Sequence, residues 1–288
     1  MKIRYLFFLG LNGTKNEFID KYKKRFKSLV IPYLFWSSIW ILIYLCLQYL
    51  PQTKPFFAGK PIRDFSIIEF LNTLFLHPIP FQLWFIKDLI VLVLLSPIFY
   101  FLIKNLKYLI LLPFLVAWYF NFDFYILESE SILFFLIGSL ISILKHQNVT
   151  LVFEKKHSFL VAIWILICLA STILDFQNFQ NAPFLVFLHK IGILVGIPAL
   201  WILYDFFVKG TEKENQSTIY SFSFFIFAFH LPMMTFVRAI LFKFGHSNLI
   251  SFSIYIFAPL IVIVASLVVA YLIQKATPNF YKIINGGR

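Results

Sequence analysis

The chain has 288 residues, 60% of them hydrophobic and only 13% charged, with a net charge of +12. A soluble domain is about 45–50% apolar and about 25% charged. The balance here excludes a soluble enzyme, a disordered chain and, despite the positive charge, a nucleic-acid-binding domain; it is the composition of a membrane protein.

Lys2 and Arg4 precede a short apolar stub, Tyr5–Leu11, with no Ala-x-Ala-like site after it, so it does not read as a cleaved signal. A basic segment follows, and residues 1–28 are expected to be cytoplasmic. Apolar runs then mark about eight spans, at 29–50, 84–103, 108–121, 131–145, 158–175, 185–208, 218–243 and 250–273. The third and fourth fall short of the roughly 20 residues that cross hydrocarbon. None shows the period-two alternation of a barrel strand, so each is expected to be a helix. The expected fold is all-α, a polytopic transmembrane helix bundle, with one domain over 29–273 and a cytoplasmic tail over 274–288.

Lysine and arginine orient the spans. Lys15, Lys21, Lys23, Lys24, Arg25 and Lys27 precede the first; Lys104 and Lys107, then Lys145, Lys155 and Lys156, then Lys209 and Lys213 mark alternate connections. The loop 122–130 carries Asp123, Glu128 and Glu130 and no base. The positive-inside rule therefore predicts both termini in the cytoplasm of a cell-membrane protein. It also places 51–83 outside, where Pro51, Pro55, Pro61, Pro78 and Pro80 argue for a structured cap with turns. Most of the net charge is accounted for by this bias. Cys46 and Cys168 lie in apolar stretches and are expected to be buried small hydrophobes. No Cys-x-x-Cys or His-Glu-x-x-His spacing occurs, so no metal site and no bound cofactor are expected.

Ionisable residues inside spans are costly and mark candidate sites. Here they are Lys87, Asp88, His189, Lys190, Asp205, His230 and Arg238. Trp84, Lys87 and Asp88 share one helix face by their spacing. The predicted orientation gathers them with His189, Lys190, His230 and Arg238 in the outer half of the bundle. Snorkelling lysines and a structural pair of Asp88 with Arg238 or Lys190 are the plainer alternative. His230 precedes Pro232, which cannot donate to the carbonyl of Ala228. A kinked, polar point near mid-membrane suits proton transfer, although a lone histidine is more often structural. The run Lys21–Lys27 has two readings as well: attraction to lipid phosphates, or a seat for a phosphorylated donor such as a coenzyme A thioester.

Several segments together resemble the acyltransferase-3 family of integral-membrane acyltransferases. They are Phe18–Pro32 with Tyr33-Leu34-Phe35-Trp36, Leu83–Leu89 with Ser96-Pro97, Phe134–Ser139, Ser223–His230, and the last span with Pro259 and Ala270–Ile273. The resemblance covers about residues 5–275. It implies transfer of an acyl group, often acetyl, from cytoplasmic acyl-CoA as co-substrate to a hydroxyl of an envelope glycan. Membrane lipid and a glycan or lipid-linked sugar are then the partners. Lys24, Arg25 and Lys27 match the family's arginine-rich motif, and Lys23 is grouped with them as acyl-donor-binding. Trp84, Lys87, Asp88, His189 and Lys190 are candidates for binding the acceptor, and His230 and Arg238 for catalysis. Family members usually begin with two more spans, the first bearing a histidine held to be catalytic. Tyr5–Gly10 resembles only the end of the second, so the chain reads as N-terminally truncated, and no residue is carried over to that role. A transporter or flippase and a non-catalytic membrane scaffold are the alternative functions.

Overall fold

The computed structural model describes residues 8, 13–50, 59–144, 158–176, 183–208, 221–245 and 247–287. Among them every regular element is helical. Lys2, Arg4, Lys54, Lys145, Lys155, Lys156, Lys209 and Lys213 lie outside the described residues, as does the side chain of Asp205.

Helix α1 (Lys15–Arg25) starts where the Glu17 carboxylate accepts the Thr14 backbone N–H at 3.0 Å. Its last turn carries Lys23, Lys24 and Arg25. The chain then widens into a π-turn over Phe26–Val30 and continues as α2 (Ile31–Gln48), giving one helical stretch of 34 residues. Four more stretches are long and apolar enough to cross a membrane: Ser96–Tyr119, Pro183–Tyr204, Ser223–Phe244 and Asn248–Ala276. They make this a multi-pass membrane protein. The first of them comprises α5 (Ser96–Leu106) and α6 (Leu111–Tyr119) and is interrupted at Lys107, whose φ is 49°. The others hold α9 (Pro183–Val208), α10 (Ser223–Leu241) and α11 (Asn248–Ala276). Helices α7 (Ser129–Leu144) and α8 (Phe159–Phe176) are shorter apolar elements.

The expected second span is α4 (Trp84–Leu94) joined to α5 through Leu95. Ahead of it lies α3 (Ile67–Phe75), nine residues capped reciprocally by Ser66 and Glu69. Helix α3 runs back along α2. The Ile62 N–H meets Gln48 Oε1 at one end; at the other, Ser37 Oγ donates to Leu74 O and Tyr33 Oη to Phe75 O, at 2.9 Å each. The turn between α3 and α4, with Pro78 and Pro80, therefore follows a helix end held against the first two turns of α2, at Tyr33 and Ser37.

An aromatic seam joins α2 to α10. Trp36, Trp40 and Tyr44 recur every four residues and so share a face. Trp36 meets Phe225 (ring centroids 5.0 Å apart), Trp40 meets Phe229 (5.6 Å) and Tyr44 meets Phe236 (5.8 Å). Such pairs contribute about 0.5–1.5 kcal/mol each beyond area burial. Close packing elsewhere uses small residues, as expected where lipid offers no hydrophobic contrast. Ala258, Val262, Ser266 and Ala270 form the buried stripe of α11. Gly192 and Gly196 let α9 approach α8: a Cβ at Gly196 would lie 2.7 Å from Trp164 Nε1.

The last helix, α12 (Pro278–Ile284), folds back on the bundle. Trp36 Nε1 donates to Ile284 O at 3.1 Å, and Asn285 Nδ2 donates to Ser221 O at 2.6 Å. Cys46 and Cys168 are exposed rather than buried. In a membrane protein the outer surface is apolar too, so an apolar neighbourhood in sequence does not imply the interior.

Candidate active site

Two features of the chain meet at the middle of the α2–α10 seam. Pro232 has no N–H for the Ala228 carbonyl, so that acceptor needs another donor. Gln82, in the turn before α4, supplies it: Nε2 lies 3.1 Å from Ala228 O, in a buried contact. Two residues along α10, His230 Nδ1 lies 2.8 Å from Phe227 O and 3.0 Å from Ile226 O. Both partners are acceptors, so Nδ1 carries the proton and Nε2 keeps its lone pair. This is the tautomer a base requires. Arg238 is exposed, with its guanidinium 6.0 Å from the Phe242 ring centroid.

Asp88 is fully buried. Its Oδ1 faces Lys87 Nζ at 3.2 Å, and its Oδ2 accepts the Glu128 N–H at 3.1 Å. The expected partners Arg238 and Lys190 form no ion pair with it among the described residues. Asp88 thus ties α4 to the start of α7, where Asp123 Oδ1 accepts both the N–H (2.9 Å) and the Oγ–H (3.0 Å) of Ser129. Burial raises the Glu128 carboxyl above its ordinary range, and the carboxylates of Asp88 and Asp123 add to the effect.

Behind this junction Glu130 Oε2 accepts from Trp118 Nε1 at 3.2 Å, and Lys190 Nζ lies 4.7 Å from the centroid of the same indole. Glu130 borders two cavities. One, of about 300 Å³, is mostly apolar and is lined by Trp84, Leu89, Leu92 and Phe134. The other, of about 350 Å³, is polar and is lined by Asn121, Ser171, His189 and Lys190. The structure therefore gathers Trp84, His189 and Lys190 around Glu130, keeps Lys87 and Asp88 as a neighbouring pair, and leaves His230 and Arg238 on α10. Sequence reasoning did not single out Gln82, Trp118 or Glu130.

The basic run shapes a third cavity, of about 490 Å³, at the π-turn between α1 and α2. Lys23, Arg25 and Lys27 border it with their aliphatic stems and leave their charges at its exposed edge, and Ile90, Val93 and Leu94 of α4 form its apolar wall. Lys24 does not line it. Tyr22 Oη donates to Leu94 O at 3.1 Å and fixes the wall to α1. A cationic rim over an apolar interior suits an amphiphile with a phosphorylated head.

The family profile of the acyltransferase-3 family, described as an acyltransferase domain, matches residues 5–275. The succinoglycan biosynthesis protein ExoH of Rhizobium meliloti (strain 1021) is 22% identical over 275 residues, covering 92% of this chain and 72% of ExoH. No solved structure matches. With a match over nearly its whole length, the chain belongs to the acyltransferase-3 family.

Proposed function

We propose that this membrane acyltransferase moves an acyl group, acetyl in the simplest case, from cytoplasmic acyl-CoA to a hydroxyl of an envelope glycan at the cell membrane. The observation that carries the reading is the arrangement along α4. Ile90, Val93 and Leu94 line the basic cavity, while Trp84, Leu89 and Leu92 line the cavity that reaches Glu130. A donor seated by its phosphates on Lys23, Arg25 and Lys27 thus has an apolar helix leading toward a polar pocket for the acceptor. ExoH, a protein of polysaccharide biosynthesis, supports a glycan as that acceptor.

The chemistry needs a base for the acceptor hydroxyl and a route for its proton. The hydroxyl oxygen attacks the thioester carbonyl, a C–O bond forms, and the C–S bond breaks. His230 lines none of these cavities, so this reading requires the acceptor hydroxyl to reach α10, where Nε2 of His230 takes its proton and returns it to the departing thiolate. In this reading the chain has about eight spans with both termini cytoplasmic.

Purified protein in proteoliposomes, supplied with radiolabelled acetyl-CoA on the cytoplasmic face and a soluble oligosaccharide on the other, should yield labelled ester. Protein that binds no acyl-CoA and transfers no label would overturn the reading. Single cysteines at Arg63 and Thr277, in a background lacking Cys46 and Cys168, should react with an impermeant thiol reagent from opposite faces.

A further inference from the structure

The polar cavity bordered by Glu130 has chemistry more specific than a generic hydroxyl site. Lys190 lines it and is only 8% exposed. Among the described residues no carboxylate lies within ion-pairing distance of its ammonium, and its one close contact is the Trp118 ring. The Glu130 and Asp123 carboxylates act on it only through space, beyond ion-pairing distance, and a cation held away from water with no anion in contact is costly until one joins it.

Glu130 sets the opposite demand. An ionised carboxylate only accepts, and with Oε2 on Trp118 it still has acceptor positions for a ligand hydroxyl. Asn121 and Ser171 add an amide and a hydroxyl, and His189 an imidazole. A ligand that satisfies both ends carries hydroxyls and one anionic group. Phosphate alone brings charge but no alcohol hydroxyl to accept an acyl group, and a neutral sugar leaves Lys190 without an anion in contact. The volume of about 350 Å³ falls within the range of small-ligand sites, about 300–1,000 Å³.

We infer that the cavity between α7, α8 and α9 is a subsite for an acidic sugar, with Lys190 holding its carboxylate and Glu130 one of its hydroxyls. The inference rests on the acyl-transfer reading and names its acceptor class: a glycan containing a uronic acid or a sugar bearing an acidic substituent. The hydroxyl on Glu130 would stand at the border of the apolar cavity, on the side from which the acyl group arrives.

The test is calorimetric titration of the full chain in lipid nanodiscs with a glucuronate-terminated disaccharide and its neutral glucose-terminated counterpart. The acidic disaccharide should bind at least tenfold more tightly, and the preference should shrink with added salt. Lys190→Met should abolish the preference while leaving the weak neutral binding in place. Glu130→Gln should weaken both ligands. Equal affinity for the two disaccharides in the unaltered protein would overturn the subsite, as would an unchanged preference in Lys190→Met. Should Lys190→Met fail to fold, Ser171→Trp, which fills the cavity from α8, replaces it, and undiminished binding of the acidic disaccharide would be equally fatal. Acyl-CoA titrated into the same samples separates the two ideas. Protein that binds acyl-CoA but shows no preference for the acidic sugar keeps the transfer reading and loses the subsite.

Discussion

The side-chain amide of Gln82 donates to the backbone carbonyl of Ala228 across 3.1 Å, closing the gap that Pro232 opens in α10. Replacing Gln82 with Leu should leave that carbonyl buried and unpaired, a loss of about 1–3 kcal/mol. The melting temperature in detergent should fall accordingly. In a Pro232→Ala background the new N–H can take the carbonyl, so the same Gln82→Leu change should cost much less. Equal losses in both backgrounds would show that the amide does not answer the proline.

The sequence makes one half of that contact legible. Pro232 announces an unclaimed carbonyl four residues back, because the rule is local. Its partner lies 146 residues away in a turn, and no spacing rule reaches that far. The same limit applies to Glu130. It counts as a loop acid when only charge bias is considered, and its importance comes from Trp118 and Lys190 arriving from other helices. The basic run was readable from residues 21–27, but which of its lysines borders the cavity depended on how α1 packs against α4. The helical class follows from long apolar runs. Which face of each run meets protein does not, as Cys46 and Cys168 illustrate.

The α3 cap should respond to acid. Hydrogen bonds from Lys60 and then Ser66 hold the Glu69 carboxyl down at about 2, against an ordinary 4.5. A depressed carboxyl contributes stability above its unfolded value and loses it as pH falls toward its folded one. Protection of the α3 amides from hydrogen exchange should therefore be constant above about pH 5 and decline between about 4.5 and 2. In Glu69→Gln that decline should be absent. A parallel decline in both proteins would assign the acid sensitivity to another group.

Gly286 packs against the π-turn that borders the basic cavity. Its φ is +72°, and a Cβ there would lie 2.6 Å from Ser28 O, within the π-turn. Gly286→Ala combines a left-handed backbone with that clash, and the backbone alone costs of order 1–3 kcal/mol. Two losses are expected together: a lower melting temperature and weaker acyl-CoA binding, as the π-turn shifts under Lys27. Normal binding in a destabilised variant would confine the contact to a structural role.

The cationic rim gives a graded prediction. Arg25→Gln and Lys27→Gln should each weaken acyl-CoA binding, and by more at low ionic strength than at high, because exposed charges are screened. Lys24→Gln should do less, since Lys24 lies outside the cavity lining. Equal effects from all three would point to a diffuse attraction to anionic lipid instead of a seat for the donor.

His230 offers the sharpest separation of chemistry from structure, because its two nitrogens do different things. Nδ1–H is engaged by the carbonyls of Phe227 and Ile226, and Nε2 is the nitrogen that the proposed mechanism uses as base. Asparagine places an amide near the Nδ1 position and nothing near Nε2. His230→Asn should therefore preserve the intrahelical bond, the melting temperature and acyl-CoA binding, while transfer falls by the ~10²–10⁴ typical of lost acid–base help. Glutamine reaches toward the Nε2 position, but its amide does not titrate, so His230→Gln should be as inactive and somewhat less stable. A structural histidine would reverse the order, with Asn active and only Gln impaired through instability. Full transfer by a folded His230→Asn protein in proteoliposomes would take His230 out of the mechanism, and the base would then have to be sought elsewhere along the path from the basic cavity to Glu130.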